Sequence, residues 1–163
     1  VEHYVRFHEP LRDVPPEVEV ALAGQRAGAF VSIHTRRHEL RGCIGTLQPT
    51  EPSLVREIIR NAISACARDG RFVPVEPGEL EDLDIQVDVL GELEPVPDES
   101  FLDAKRYAVL VSAQDGRRGV LLPDLEGVDT VREQIDIACR KAHIDPRRER
   151  YTLHRIPVVR HRA

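Results

Sequence analysis

The chain reads as an α+β domain, an antiparallel sheet with flanking helices. Two observations lead there. Strand-like segments follow one another through short polar turns, so hairpins outnumber crossover units. Two segments of helical periodicity, each opened by a capping residue, interrupt the strands.

The elements follow in order. Residues 1–7 fit the end of a helix whose start is absent, and Pro10 and the Pro15-Pro16 pair break regularity after it. Residues 17–23 fit a short strand or a turn of helix equally well. Residues 28–34 alternate as a strand, with Ala29, Val31 and Ile33 on one face and Phe30, Ser32 and His34 on the other. A polar turn at residues 36–39 leads to a second strand over 40–47, making a hairpin. Thr50 or Ser53 then caps a helix running to about residue 68. Its apolar stripe is Leu54, Ile58, Ile59, Ala62, Ile63 and Cys66, and Asp69-Gly70 stops it.

Residues 83–89 form the clearest strand. Leu83, Ile85, Val87 and Val89 face a core, each side chain contributing roughly 1.5–3 kcal/mol, while Asp84, Gln86 and Asp88 face water. A Pro-rich connector covers residues 92–100. Strands over 107–112 and 119–122 flank the turn signal Asp115-Gly116. A last helix runs from Asp129 or Thr130 to Ala142, with Val131, Ile135, Ala138 and Ala142 inward. Residues 151–159 close the chain as a strand that Pro157 places at an edge. No internal repeat and no low-complexity segment is evident.

The 163 residues suit a single domain spanning residues 1–163. Aromatic residues make up 4% and Trp and Met are absent, so Val, Ile, Leu and Ala must build the core. A net charge of −5 argues against a general nucleic-acid binder. The charge is uneven, however. From Arg140 onward eight Arg or Lys accompany two acidic residues, a local charge of +6. That segment reads as a solvated helix end and basic terminus, or as a patch for RNA or an acidic partner. Cys43, Cys66 and Cys139 are odd in number and far apart, neither a disulfide framework nor a zinc ribbon. A reducing compartment, the cytoplasm, is the expected location. No apolar run approaches the roughly 18 residues of a membrane span, and no signal peptide opens the chain. The chain opens on Val1 and holds no Met, so a truncated N-terminal helix is expected.

Chemistry concentrates in Leu40-Arg41-Gly42-Cys43-Ile44-Gly45. A short turn at Arg37-His38 sets Ile33 opposite Gly42 and Ser32 opposite Cys43. Val31, Ile33, Leu40 and Ile44 then share a core face, and Ser32, His34, Arg41 and Cys43 share the other. A guanidinium beside a thiol favours the thiolate, and His34 could accept its proton. The catalytic candidates are therefore Cys43, Arg41 and His34. The same thiol also suits plain packing, as strand cysteines commonly do; Cys66 and Cys139 are assigned to packing. Gly42 and Gly45 signal a bulge, or a close approach by a ligand or another segment. Asp69 and Arg71 flank the helix stop, either lining a site where they bind an anion or orient Cys43, or serving as a cap and an ion pair. His34 and His38 lie on a hairpin and do not share a face as a helical metal pair would, so no metal is expected. No phosphate loop, dinucleotide fingerprint or Gly-x-Ser-x-Gly elbow is present, so no cofactor is expected.

The hexapeptide LRGCIG resembles the signature of the AMMECR family, the A component of the AmmeMemoRadiSam system in prokaryotes. Further blocks agree: Gly28-Ala29-Phe30-Val31-Ser32 before it, Asn61-Ala62-Ile63-Ser64-Ala65 and residues 68–75 after it, then residues 119–123. Lys141-Ala142 sits where the family's last helix ends. Two departures are the short N-terminal helix and Gly70 in place of a common Pro. The resemblance implies an α+β fold with a larger and a smaller lobe and the hexapeptide at or near the cleft between them. It also implies two partners, a Memo-like protein and a radical S-adenosylmethionine enzyme. It implies no settled activity.

Two functional classes follow. One is a cytosolic enzyme or enzyme component, with Cys43 as nucleophile or covalent acceptor, Arg41 activating it and binding anions, and His34 taking the proton. The other is a binding module for protein, peptide or nucleic acid, with Arg41, Arg71 and the basic segment as contacts and Cys43 packed.

Overall fold

A computed structural model describes residues Val1–Arg162. The chain divides into two compact units, Val1–Leu90 with the residues from Val159 onward, and Gly91–Val158. It is mixed helix and strand, with antiparallel pairing throughout the recorded registers.

The first unit opens with α1 (Glu2–Phe7) and α2 (Pro16–Ala21), so of residues 17–23 the first five are helix and Leu22 and Ala23 form a turn. Then come β1 (Ala29–Thr35), β2 (Leu40–Gly45), α3 (Leu54–Ala67), a 3-10 turn (Pro77–Asp82) and β3 (Leu83–Leu90). The strands lie in the order β2-β1-β3. Ser53 caps α3 by accepting from the Arg56 N–H. One stripe of α3 is apolar, so it buries Ala62, Ala65 and Cys66 against Val31 and Ile33. Val5 of α1 and Val75 complete that core.

The second unit holds β4 (Glu94–Val96), β5 (Tyr107–Ala113), β6 (Arg118–Leu121), α4 (Val131–Lys141) and β7 (Tyr151–Arg162) as far as Val158. β5 lies between β6 and β7, and β4 pairs with β7. β7 is therefore not an edge strand here. Pro157 is tolerated because the β4 pairing ends at Arg155, so no ladder partner from β4 is lost. Thr130 and Glu133 form a capping box on α4. Ile135, Ala138, Cys139 and Ala142 pack on Val109, Val111 and Leu121.

Without a repeat in their sequence, the two units share one order of elements. Each unit contains a hairpin, a helix and a third strand that pairs with the first strand of the hairpin. In each, a glycine in the outer strand admits the helix backbone. A Cβ on Gly42 would lie 2.3 Å from the Ala65 carbonyl oxygen, and one on Gly119 would lie 2.0 Å from that of Ala138. A cysteine follows each of these alanines, Cys66 and Cys139. Connections of different length separate the corresponding positions. Among the described residues no helix is long and apolar enough to cross a membrane.

Candidate functional site

The hairpin pairs as its apolar pattern predicts, Val31 with Ile44, Ser32 with Cys43 and Ile33 with Gly42. One residue further the register slips. His34 pairs with Leu40, and Arg41 is left as the extra residue of a bulge. His38, with φ 64°, turns the chain at the hairpin tip.

The bulge changes what the hexapeptide can do. Arg41 was expected beside Cys43, but its guanidinium is committed elsewhere. It donates to Glu79 Oε1 at 2.7 Å and Oε2 at 3.0 Å, and to the carbonyls of Val73 and Pro74 at 2.9 and 3.3 Å. With its side chain 13% exposed, Arg41 ties the hairpin to the segment after α3. Leu40, expected in the core, is 40% exposed, because the same slip turns it away from the core face. Gly42 and Gly45 serve chain packing. Gly42 lies under α3, and a Cβ on Gly45 would lie 2.2 Å from the Phe30 ring. Among the six residues, Cys43 alone offers covalent chemistry.

Cys43 is half-buried. Ser32, directly opposite and 5% exposed, donates its hydroxyl to Cys43 Sγ at 3.2 Å. β2 is the outer strand of this unit, so the Cys43 backbone needs partners from outside the ladder. Asp69 accepts from the Cys43 N–H at 2.9 Å, and Arg71 Nη2 donates to the Cys43 carbonyl at 3.2 Å. Asp69 and Arg71 also pair with each other at 2.7 Å. Bonds from the Arg71 side chain, working against burial, hold the Asp69 carboxyl down at about 2, and the same pairing raises Arg71. The two act together as a clamp on the Cys43 backbone, an ion pair that also orients Cys43.

His34 shares the sheet face of Ser32 and Cys43. It is diagonal to Cys43, a separation of about 7 Å in sheet geometry, beyond direct hydrogen-bond reach. Burial lowers its proton affinity, and Arg160 and His38 lower it further against the opposing Asp84. These effects favour the neutral imidazole and make it a weaker base than a free histidine.

Sequence reasoning missed part of this face. Ser32 pairs with Gln86 on its other side, so Cys43, Ser32 and Gln86 form one row across three strands. Asp88 was expected to be wet but is fully buried. Arg160 makes that tolerable, donating to it from Nε at 2.8 Å and Nη2 at 3.0 Å. Only the tertiary structure could supply that partner, 72 residues away. Glu57, on α3, is a second buried carboxylate that the apolar stripe concealed. Burial opposes its ionisation, but bonds from the Thr46 hydroxyl and from the Glu51 and Thr50 N–H groups outweigh it and lower its pKa. Glu57 thereby holds the loop that follows the hexapeptide.

Burial pushes the Cys66 and Cys139 thiols up, as suits packed cysteines. Among the described residues no three His, Cys, Asp or Glu side chains are grouped to hold a metal ion.

The second unit offers an internal control. Opposite its strand glycine stands Val111, as Ile33 stands opposite Gly42. The row equivalent to Cys43, Ser32 and Gln86 is Val120, Leu110 and His154. Leu110 is buried where Ser32 is buried, and Val120 stands where Cys43 stands. The second unit fills both places with apolar side chains.

A family model described as AMMECR1 matches residues 1–162. A protein of Thermotoga maritima is 48% identical, covering 99% of this chain and 92% of that protein. A protein of Clostridium acetobutylicum is 43% identical over 98% of this chain, which spans only 33% of it. A protein of Methanothermobacter thermautotrophicus is 37% identical, with 90% and 78% covered. The crystal structure of an uncharacterized protein from Pyrococcus horikoshii superposes with a TM-score of 0.80 at 28% identity, covering 98% of this chain and 83% of that one.

Proposed function

The chain belongs to the AMMECR1 family, and we propose that its first hairpin carries a working thiol, Cys43, as nucleophile or covalent acceptor in an enzyme or enzyme component. One observation carries this reading. Cys43 and Ser32 occupy places that Val120 and Leu110 fill in the second unit. Burying a hydroxyl where a hydrocarbon fits equally well is unfavourable by about 1–3 kcal/mol unless the hydroxyl is hydrogen-bonded. Ser32 spends its hydrogen bond on the sulfur.

The chemistry follows from that bond. A hydroxyl donating to sulfur favours the thiolate, the form that attacks electrophilic carbon or sulfur. Asp69 and Arg71 fix the Cys43 backbone, so the sulfur keeps its direction. His34 receives the proton through an intervening water or a substrate group. Arg41 acts at a distance, by anchoring the hairpin to Glu79. On the family resemblance, the thiol acts in the cytoplasm with a Memo-like protein and a radical S-adenosylmethionine enzyme. The rival reading, a non-enzymatic binding module, loses Arg41, whose side chain is 13% exposed and bound to Glu79, while Arg71 stays more than half exposed beside Asp69.

Alkylation with iodoacetamide at pH 7, mapped by mass spectrometry, tests the proposal. Cys43 is expected to react about tenfold faster than free cysteine, with Cys66 and Cys139 protected, and Ser32→Ala should remove the advantage. A Cys43 that reacts at the free-thiol rate sinks the nucleophile reading. Full biological activity in Cys43→Ser would favour the binding module. Recovery of neither partner from a pull-down would remove the pathway assignment alone.

A further inference from the structure

The thiol site leaves the basic segment that begins at Arg140 without a role. In the second unit that segment lines a groove of about 440 Å³ beside α4. Arg132, Asp136 and Arg140 line it from the helix, one turn apart along the stripe opposite the buried one. Arg147 faces them from the loop after the helix, with Ile144 and Pro146 as apolar lining.

The acidic residues of the groove are already occupied. Asp136 pairs with Arg132 at 3.1 Å. Asp145 accepts from the Arg147 N–H at 3.0 Å and lies 3.6 Å from Arg148. Among the described residues no carboxylate pairs with the guanidinium of Arg140 or Arg147. The neighbouring groove, about 320 Å³, is the contrast. Its Arg117 is bound by both Asp115 and Glu149, so that cation is spent internally. The dipole of α4 accounts for a cation in its last turn, such as Arg140. It does not account for Arg147, which lies beyond the helix.

We propose that this groove binds a compact phosphate-bearing ligand, its phosphate between Arg140 and Arg147 and its apolar part on Ile144 and Pro146. Planar guanidinium groups match phosphate oxygens with paired hydrogen bonds. The volume falls within the range of about 300–1,000 Å³ usual for small-ligand sites. An extended polyanion is disfavoured by the net charge of −5 on the whole chain. A pair of exposed cations lining one groove of an acidic protein suits a small anion.

Calorimetric titration of the full chain with inorganic pyrophosphate is the test. Saturable binding at one site is expected, weakened about tenfold by each of Arg140→Gln and Arg147→Gln. Arg150→Gln removes the same charge outside the groove and should leave affinity within twofold. Thermal melts of the three variants establish that each is folded. No saturable binding, or equal weakening in Arg150→Gln, overturns the proposal. So does an eight-nucleotide single-stranded RNA that binds where pyrophosphate does not, which would assign the groove to nucleic acid.

Discussion

The two units use one plan and differ in what they set at its centre. In both, a hairpin, a helix and a third strand pack so that an alanine carbonyl of the helix rests over a strand glycine, Ala65 over Gly42 and Ala138 over Gly119. In both, a basic side chain caps the carbonyl of the residue after that glycine. Arg71 bonds Cys43 in the first unit, and Lys141 bonds Val120 at 2.8 Å in the second. The first unit adds Asp69 on the N–H of the same residue. The first unit has thiol, hydroxyl and amide across its row, whereas the second has valine, leucine and histidine. Features common to both units are requirements of packing. Those confined to the first, Cys43, Ser32 and the Asp69 clamp, are where function is to be sought.

The largest expected effect tests the shared part. Gly42→Ala and Gly119→Ala each force a Cβ into a helix carbonyl, and each should cost about 3 kcal/mol or more in urea unfolding. Gly119→Ala should be the worse of the two, since its approach is 2.0 Å against 2.3 Å. A variant of either glycine with wild-type stability would break the equivalence of the units.

The next effect sharpens the difference. Asp69→Ala should lose about 2 kcal/mol at pH 7, while Lys141→Ala, at an exposed side chain, should lose about 0.5 kcal/mol. The Asp69 carboxyl sits near 2 in the folded chain against an ordinary 3.8. Its folded value is depressed, so its contribution is complete above about pH 5 and fades as the pH falls through about 2. Unfolding curves of wild type and Asp69→Ala should converge over that window. Parallel curves down to pH 2 would show that the clamp does not act through charge.

The smallest expected effect on stability is the most informative about function. Cys43→Val copies the second unit, and Ser32→Ala deletes one hydrogen bond. Each should cost less than about 1 kcal/mol, while removing respectively the thiol and its enhanced alkylation rate. A large loss of stability in Cys43→Val would make Cys43 a packing residue after all.

Much of this was legible in the sequence. The alternation in residues 28–34 and 40–45 specified the hairpin register as far as Ile33 and Gly42, because a slip of one residue would expose Val31 and Ile33. The stripe of α3 and the capping signals at Thr50 or Ser53 and at Asp129 or Thr130 located both long helices, and the structure selects Ser53 and Thr130. The bulge at Arg41 was not legible. It depends on Glu79 and the carbonyls of Val73 and Pro74, which lie 32 to 38 residues away. The burial of Asp88 and Glu57 was hidden for the same reason. A charged residue in an alternating or amphipathic pattern looks solvated until its distant partner is known.

By itself the sequence determined the kinds of element, the family resemblance and the six residues around which the first hairpin is built, since local periodicity, capping and turn chemistry act between near neighbours. Only the tertiary structure decided the work of each of those six. It assigned Arg41 to an anchor, Gly42 and Gly45 to close packing, and Cys43 to a place between Ser32 and the Asp69–Arg71 clamp. Hydrogen bonds and burial between distant segments make those assignments, and they exist only once the chain has folded.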